Sequence, residues 1–181
     1  GAIPVKPPIP GINSKDIFTL RNVEDTDLIK ENIRSYSPRR AVIVGAGFIG
    51  LETAENLHHL GIKTTIVEMA DQVMAPLDYE MAAIVHQHLK MKGVEFYLND
   101  SVVAFEDVEK GKLVRLKSGR SIPADIIILS IGVKPLSGLA EKAGLNVSAG
   151  KGIIVNDYLQ TNDPNIYAVG DAVEFKHIVS G

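Results

Sequence analysis

From Arg39 to about Asn156 the chain alternates two hydrophobic periods. The run Ala41-Val42-Ile43-Val44 is short, continuous and apolar, as a strand covered on both faces must be. Between Gly50 and Leu60 the spacing turns helical: Gly50, Ala54, Leu57 and Gly61 share a face, and its small groups would let the helix lie close on a sheet. Lys63 to Glu68 reads as a second strand. Pro76 and Asp78 mark another helix start, with Met81, Ile84, Val85, His88 and Leu89 as its predicted buried stripe and Gly93 as its stop. Val94 to Leu98 is a predicted third parallel strand. From Ser101 to Ile122 the helical period disappears, and short β-rich runs are broken at Lys110-Gly111 and Ser118-Gly119. That spacing predicts a small antiparallel meander where a crossover helix would normally stand. Ala124 to Ile131, rich in consecutive large aliphatics, returns to a doubly buried parallel strand. The expected fold class is α/β: a Rossmann-like parallel sheet with an antiparallel β-meander, in three layers.

Residues 1–38 break the pattern. Pro4, Pro7, Pro8 and Pro10 lack ladder donors, and a short helix is expected near Asp25 to Ile33. This part reads as a connector rather than core, residues 39–156 as the main domain and 157–181 as a departing segment. Composition narrows the function. With 181 residues and 45% hydrophobic content, the chain can bury a sizeable core. A net charge of -3 and pI near 6.0 offer no broad attraction to phosphate backbones or anionic lipids, so no nucleic-acid partner is expected. The longest apolar run, around Ile126 to Leu129, falls well short of the roughly 18 residues of a membrane span, and no secretory pattern opens the chain. No membrane association and a cytoplasmic location are expected. The absence of cysteine excludes a disulfide, a thiolate nucleophile and a Cys-based metal site in these residues.

Candidate chemistry centres on "RAVIVGAGFIGLE", Arg40 to Glu52. An apolar strand, G-x-G-x-x-G, a helix and an acid at the end of the next strand form a dinucleotide fingerprint. Gly45 permits the tight turn, Gly47 lets a pyrophosphate approach the backbone, and Gly50 allows close helix packing. Glu68, placed to accept ribose hydroxyl protons, is followed by Met69 and Ala70 rather than an arginine, which favours NAD(H) over NADP(H). A bland strand-end acid is the alternative. His58 with His59, and His86 with His88, lack the spacing of a helical metal pair, so no metal site is expected. The Glu106-Asp107-Glu109-Lys110 cluster reads as a solvated turn.

Six stretches, "GAIPVKPPIPG", "FTLRNVEDTD", "AVIVGAGFIGLETAENL", "VEMADQVMAPLDYEMA", "LSIGVKP" and "TNDPNIYAVGDA", together resemble the FAD-dependent pyridine nucleotide-disulfide oxidoreductases, closest to the coenzyme A-disulfide reductase and NADH oxidase branch. The resemblance implies an FAD-binding segment with a redox cysteine before the proline-rich connector, a dimerisation domain after "VGDA", and a homodimeric parent. It implies hydride passage from NAD(P)H to flavin and on to a disulfide, persulfide or oxygen, with the present chain inactive alone and holding no catalytic residue. By position, Gly45, Gly47, Phe48, Ile49 and Gly50 resemble the nicotinamide-dinucleotide loop, and Gly132 the glycine against which the dinucleotide lies, with a simple strand-end turn as its rival. Phe48 resembles an aromatic that covers the flavin; local packing is the alternative. Glu52 resembles a glutamate that pairs with a lysine beside the flavin, or else is a first-turn acid favoured by the helix dipole. Thr161, Gly170 and Asp171 resemble the segment that returns to the FAD domain, Asp171 accepting a ribitol hydroxyl. Two other readings are a stand-alone nicotinamide-nucleotide binding module, disfavoured by an opening Gly1-Ala2 without methionine, and an FAD site at the first glycine motif, disfavoured by the order of connector and "VGDA".

Overall fold

A computed structural model describes residues 1–175. They form two compact units, Pro4–Gly132 and Gly1–Ile3 with Val133 onward. The first strand, β1 (Ala2–Pro4), belongs to one of two two-stranded sheets outside the main sheet.

The larger unit opens with β2 (Ile17–Thr19) and α1 (Val23–Tyr36). Asn22 caps α1 by accepting the Asp25 amide at 2.9 Å, and Ser37 closes it in the left-handed region, so the helix extends beyond the expected Asp25 to Ile33 at both ends. There follow β3 (Arg40–Val44), α2 (Phe48–His59), β4 (Lys63–Val67), α3 (Tyr79–Met91) and β5 (Glu95–Tyr97). The meander comprises β6 (Val102–Asp107), β7 (Lys112–Leu116) and β8 (Ser121–Ala124), and β9 (Ile126–Leu129) returns to the sheet.

The sheet has five parallel strands in the order β2-β9-β3-β4-β5. Strand alternation sends Ala41 and Ile43 of β3, Ile126 and Ile128 of β9, and Ile66 of β4 to one face, where Ile29 of α1, Ala54 and Leu57 of α2, and Val85 and Leu89 of α3 cover them. Val42, Val44, Val67, Ile127 and Leu129 face the other way against Phe105, Val114, Leu116 and Ile122 of the meander. Helices, sheet and meander are therefore the three layers. Full burial of one such isoleucine stabilises the unit by about 1.5–3 kcal/mol, which is why the central strands read as unbroken aliphatic runs.

Two expectations are corrected. The segment before residue 39 is not outside the core: Ile12, Ile17 and Ile29 are buried, and Ile17–Thr19 pairs with Ile127–Leu129 as an edge strand. The nearly buried Lys112 ammonium lies between Asp107 and Asp16, tying the meander to the loop before β2. The acidic cluster is thus partly engaged, since Glu106 also pairs with Arg115 at 2.8 Å. The second correction concerns α3. Ala82, Val85, His86 and Leu89 face inward, whereas Met81 and Ile84 are more than half exposed.

The smaller unit contains β10 (Val133–Pro135) beside β1, α4 (Gly138–Lys142), and β11 (Ile153–Ile154) paired in parallel with β12 (Val173–Glu174). Ala140, Ile153 and Ala172 form its core. No described helix is long and apolar enough to cross a membrane.

Candidate dinucleotide site

The carboxyl ends of β3, β4 and β9 converge where the strand order reverses about β3, the crevice in which open α/β sheets bind ligands. A cavity of about 530 Å³ lies there within the larger unit. Gly45 to Gly47, Glu68, Met69, Asp100, Ser101 and Ser130 to Gly132 form its rim, over an apolar floor that includes Val44, Val67, Val102, Phe105 and Leu129.

The three fingerprint glycines meet three different demands. Gly45 has φ +102, and a Cβ there would stand 2.4 Å from the Ser130 carbonyl oxygen. Gly50, inside α2, is pressed against the turn: its Cβ would meet the Gly45 carbonyl oxygen at 2.1 Å. Gly47 faces open space, with no atom within 4 Å of a Cβ, and serves as the N-cap of a helix that no side chain caps. The first amides of such a helix lack intrahelical acceptors and carry the positive end of its dipole, so they suit an anion arriving over Gly47. Ser130 braces the turn from β9, its hydroxyl lying 3.0 Å from both the Val44 and Gly45 carbonyl oxygens.

Glu68 is half-buried, not a free strand-end acid. Its Oε2 accepts the Ala46 amide at 2.7 Å and its Oε1 the Ala70 amide at 2.8 Å. The carboxylate is fixed above the glycine turn, and each oxygen retains a further lone pair for a hydroxyl donor. Asp100 stands beside it, its own amide donating to the Glu68 carbonyl at 3.1 Å. The Asp100 carboxylate is buried, which works against its charge, but the Ser118 hydroxyl and the amides of Ser118 and Ser101 outweigh this and hold its pKa below the ordinary value.

The remaining candidates are placed as follows. Gly132 lies on the cavity rim with φ +110 and open space where a Cβ would be. Phe48 and Ile49 open α2, Phe48 at 62% exposure, and Glu52 is exposed one turn further on. Thr161, Gly170 and Asp171 belong to the smaller unit. The Thr161 hydroxyl lies 3.0 Å from the Ile166 carbonyl oxygen and accepts the Asp163 amide at 3.2 Å, so it closes a local turn. Gly170 has φ +78 and starts a single 3-10 turn that exposes Asp171. Residues 176–181, the end of the expected return segment, lie outside the described residues. Ser130 and Asp100 were not among the residues expected from the sequence; only the strand-end position of Ser130 was a signal, since hydroxyl and acid partners there are set by the neighbouring turns.

A glycine turn under an uncapped helix, a fixed acid on the adjoining strand and a crevice at the switch point define a Rossmann-like dinucleotide-binding domain. The chain belongs to the pyridine nucleotide-disulphide oxidoreductase family, whose model matches residues 1–180. Among solved structures it is similar to the reduced CoADR-RHD of Bacillus anthracis, with 53% identity and a TM-score of 0.94, covering 99% of this chain and 32% of that one. It is similar to an NAD-dependent persulfide reductase from A. fulgidus, with 41% identity and a TM-score of 0.90, covering 96% and 32%. A third is an engineered water-forming NADPH oxidase bound to NADPH, made from the Lactobacillus brevis NADH oxidase, with 28% identity and a TM-score of 0.88, covering 96% and 38%. The chain spans between 19% and 40% of the lengths of the curated relatives it matches.

Proposed function

We propose that this chain is the NAD(H)-binding part of a flavoprotein oxidoreductase, with Gly45 to Gly50 receiving the pyrophosphate, Glu68 the adenosine ribose and Gly132 the path toward the nicotinamide. The observation that carries this is the Glu68 carboxylate, held by the Ala46 and Ala70 amides directly above a turn whose middle glycine faces open space. A rigid acceptor pair loses little entropy when a ribose arrives. Residues Gly45 to Gly50, Glu68 and Gly132 would hold a nicotinamide dinucleotide, which would supply a hydride for a flavin bound by a neighbouring segment and so reducing equivalents for a disulfide, persulfide or oxygen. This chain's residues bind, orient and shield; Phe48, exposed at the head of α2, has the freedom to cover a flavin, and Glu52 to pair with a lysine of a neighbouring segment.

In this reading residues 1–38 lead from an FAD-binding segment, 39–156 bind NAD(H), and 157–181 lead back, with Thr161, Gly170 and Asp171 at the ribitol side of the flavin. The family match over 1–180 and the partial coverage of longer relatives support it. A homodimeric parent rests on the resemblance, and a cytoplasmic location on the lack of a span or secretory pattern in these residues.

NADH is favoured over NADPH because a 2′-phosphate beside the Glu68 carboxylate meets like charge. The NADPH-bound oxidase supports this: among its substitutions a glycine is replaced by alanine, an aspartate by alanine and the next residue by arginine. That glycine and aspartate are separated as Gly50 and Glu68 are here. The test is NADH titration of wild type and Glu68→Ala. Losing a charged acceptor costs about 1.5–3 kcal/mol, roughly a 10- to 150-fold weaker Kd. Equal affinities would remove Glu68 from the site. Glu68→Arg should narrow or reverse the order of NADH and NADPH, and a wild-type preference for NADPH would refute the assignment of selectivity.

A further inference from the structure

His86 occupies the inward face of α3, and none of the roles above uses it. Its Nε2 accepts the Val73 amide at 3.1 Å, and its ring stacks on Phe96 of β5 with centroids 5.4 Å apart. Val73 is fully buried, so its N–H has no water as a substitute acceptor. The next residue, Met74, donates its amide at 2.9 Å to the carbonyl of Ala46, the residue between the first two fingerprint glycines. The same segment, 69–78, supplies Met69, Ala75 and Pro76 to the cavity wall. The imidazole thus supplies the acceptor for the buried middle of a loop that both walls the cavity and braces the glycine turn, a loop fixed at its start by the Asn99 amide donating to the Ala70 carbonyl at 2.9 Å.

We propose that His86 is a positioning residue for the dinucleotide: its neutral imidazole clamps the 69–78 loop against the glycine turn, so that nucleotide affinity follows the protonation of His86. The proposal rests on the NAD(H) reading above. An amide donating to Nε2 requires a lone pair there, which puts the proton of the neutral ring on Nδ1. Protonation would set two N–H groups facing each other and orphan the Val73 donor. Burial, and then the Lys90 ammonium one turn along α3, hold the His86 pKa below the usual histidine value, favouring the clamped form at neutral pH. Lys90 lies with its Nζ 5.7 Å from the Phe96 ring centre. Glu95 of β5 is turned to Lys63, 2.7 Å away. Among the described residues, neither Asp71 nor Asp78 of the loop bonds the imidazole.

Two variants separate the roles. Gln places Oε1 as many bonds from Cα as the histidine Nε2 and does not titrate; Phe keeps a ring against Phe96 without an acceptor. NADH titrations run from pH 7.5 down through the folded His86 pKa, located by the imidazole NMR shift, should show wild-type affinity falling across that transition by at least about fivefold, the scale of a typical coupling. His86→Gln should stay near the wild-type pH 7.5 value throughout, and His86→Phe should bind weakly at every pH. Wild-type affinity for His86→Phe, or an unchanged pH slope in His86→Gln, would overturn the proposal. Amide exchange at Val73 and Met74 without nucleotide supplies the second measurement: protection at pH 7.5 in wild type and His86→Gln, and its loss in His86→Phe. Full protection in His86→Phe would also overturn the clamp. A wild type that binds no NADH at any pH while showing this exchange pattern would remove the dinucleotide reading and the positioning role together, leaving the clamp itself observed.

Discussion

Gly47 and Gly50 sit three positions apart in one motif, yet their alanine variants should fail in opposite ways. A Cβ at Gly50 would lie 2.1 Å from the Gly45 carbonyl oxygen and 2.7 Å from the Ser130 hydroxyl. The first contact is with backbone, so α2 must shift off the turn. Overpacking of this kind costs about 1–3 kcal/mol, and the gain from replacing glycine inside a helix offsets about 1 kcal/mol. The 2.1 Å overlap puts the cost at the upper end of that range, leaving a net loss of about 1–2 kcal/mol. For a chain of this size that lowers Tm by roughly 2–8 °C. Gly47 has φ -78, open to any L residue, and nothing within 4 Å of its Cβ. The poorer alanine N-cap and the less flexible unfolded chain nearly cancel, so Gly47→Ala should keep its stability within about 0.5 kcal/mol. Its methyl group, however, occupies the approach of the pyrophosphate. Losing one charge-assisted amide-phosphate bond weakens NADH binding by about 1.5–3 kcal/mol, tenfold or more. Thermal unfolding and NADH fluorescence titration of both variants provide the comparison. Wild-type NADH affinity in Gly47→Ala, or a wild-type Tm in Gly50→Ala, would refute the division of labour read from the two Cβ environments.

Asp125 accepts the Arg39 and Arg40 amides, each at 2.9 Å, and the Arg40 guanidinium at 2.6 Å, fastening the start of β3. Burial opposes its charge, but these donors prevail and depress its pKa, so its contribution is present above the unfolded carboxylate value and lost as pH falls through the folded one. Asp125→Asn should destabilise by about 1–2 kcal/mol at pH 7, discounted because Arg40 is partly exposed, and should flatten acid unfolding below about pH 4; unchanged urea midpoints at pH 7 and pH 3 would refute this. The purified 181-residue chain should be colourless and give no NADH turnover with added FAD beyond free FAD, because Gly170 and Asp171 offer one edge of a flavin site. A yellow protein with stoichiometric flavin by absorbance would instead return the glycine turn to FAD.

Local sterics and periodicity made much of this protein legible before any coordinates. The glycine spacing demands a turn with positive φ at Gly45 and a close helix at Gly50, and these demands arise within a few residues of chain. Unbroken aliphatic runs at β3 and β9 required a sheet covered on both faces, and two glycine turns sufficed for the meander. What the sequence left open depends on partners distant in the chain. Ile17–Thr19 is too short to announce itself as a strand and becomes one by pairing with Ile127–Leu129. On α3 the expected stripe is split: Val85 and Leu89 face inward while Met81, Ile84 and His88 face outward, because the contacts of Ala82, Val85, His86 and Leu89 with the core and the 69–78 loop set the rotation of the helix. Hydrophobicity alone ranks faces, whereas shape and a satisfied buried amide choose between them. Glu68 was visible as an acid at a strand end, but its attachment to the Ala46 and Ala70 amides, which turns a charge into a fixed acceptor pair, came only from folding β4 beside β3.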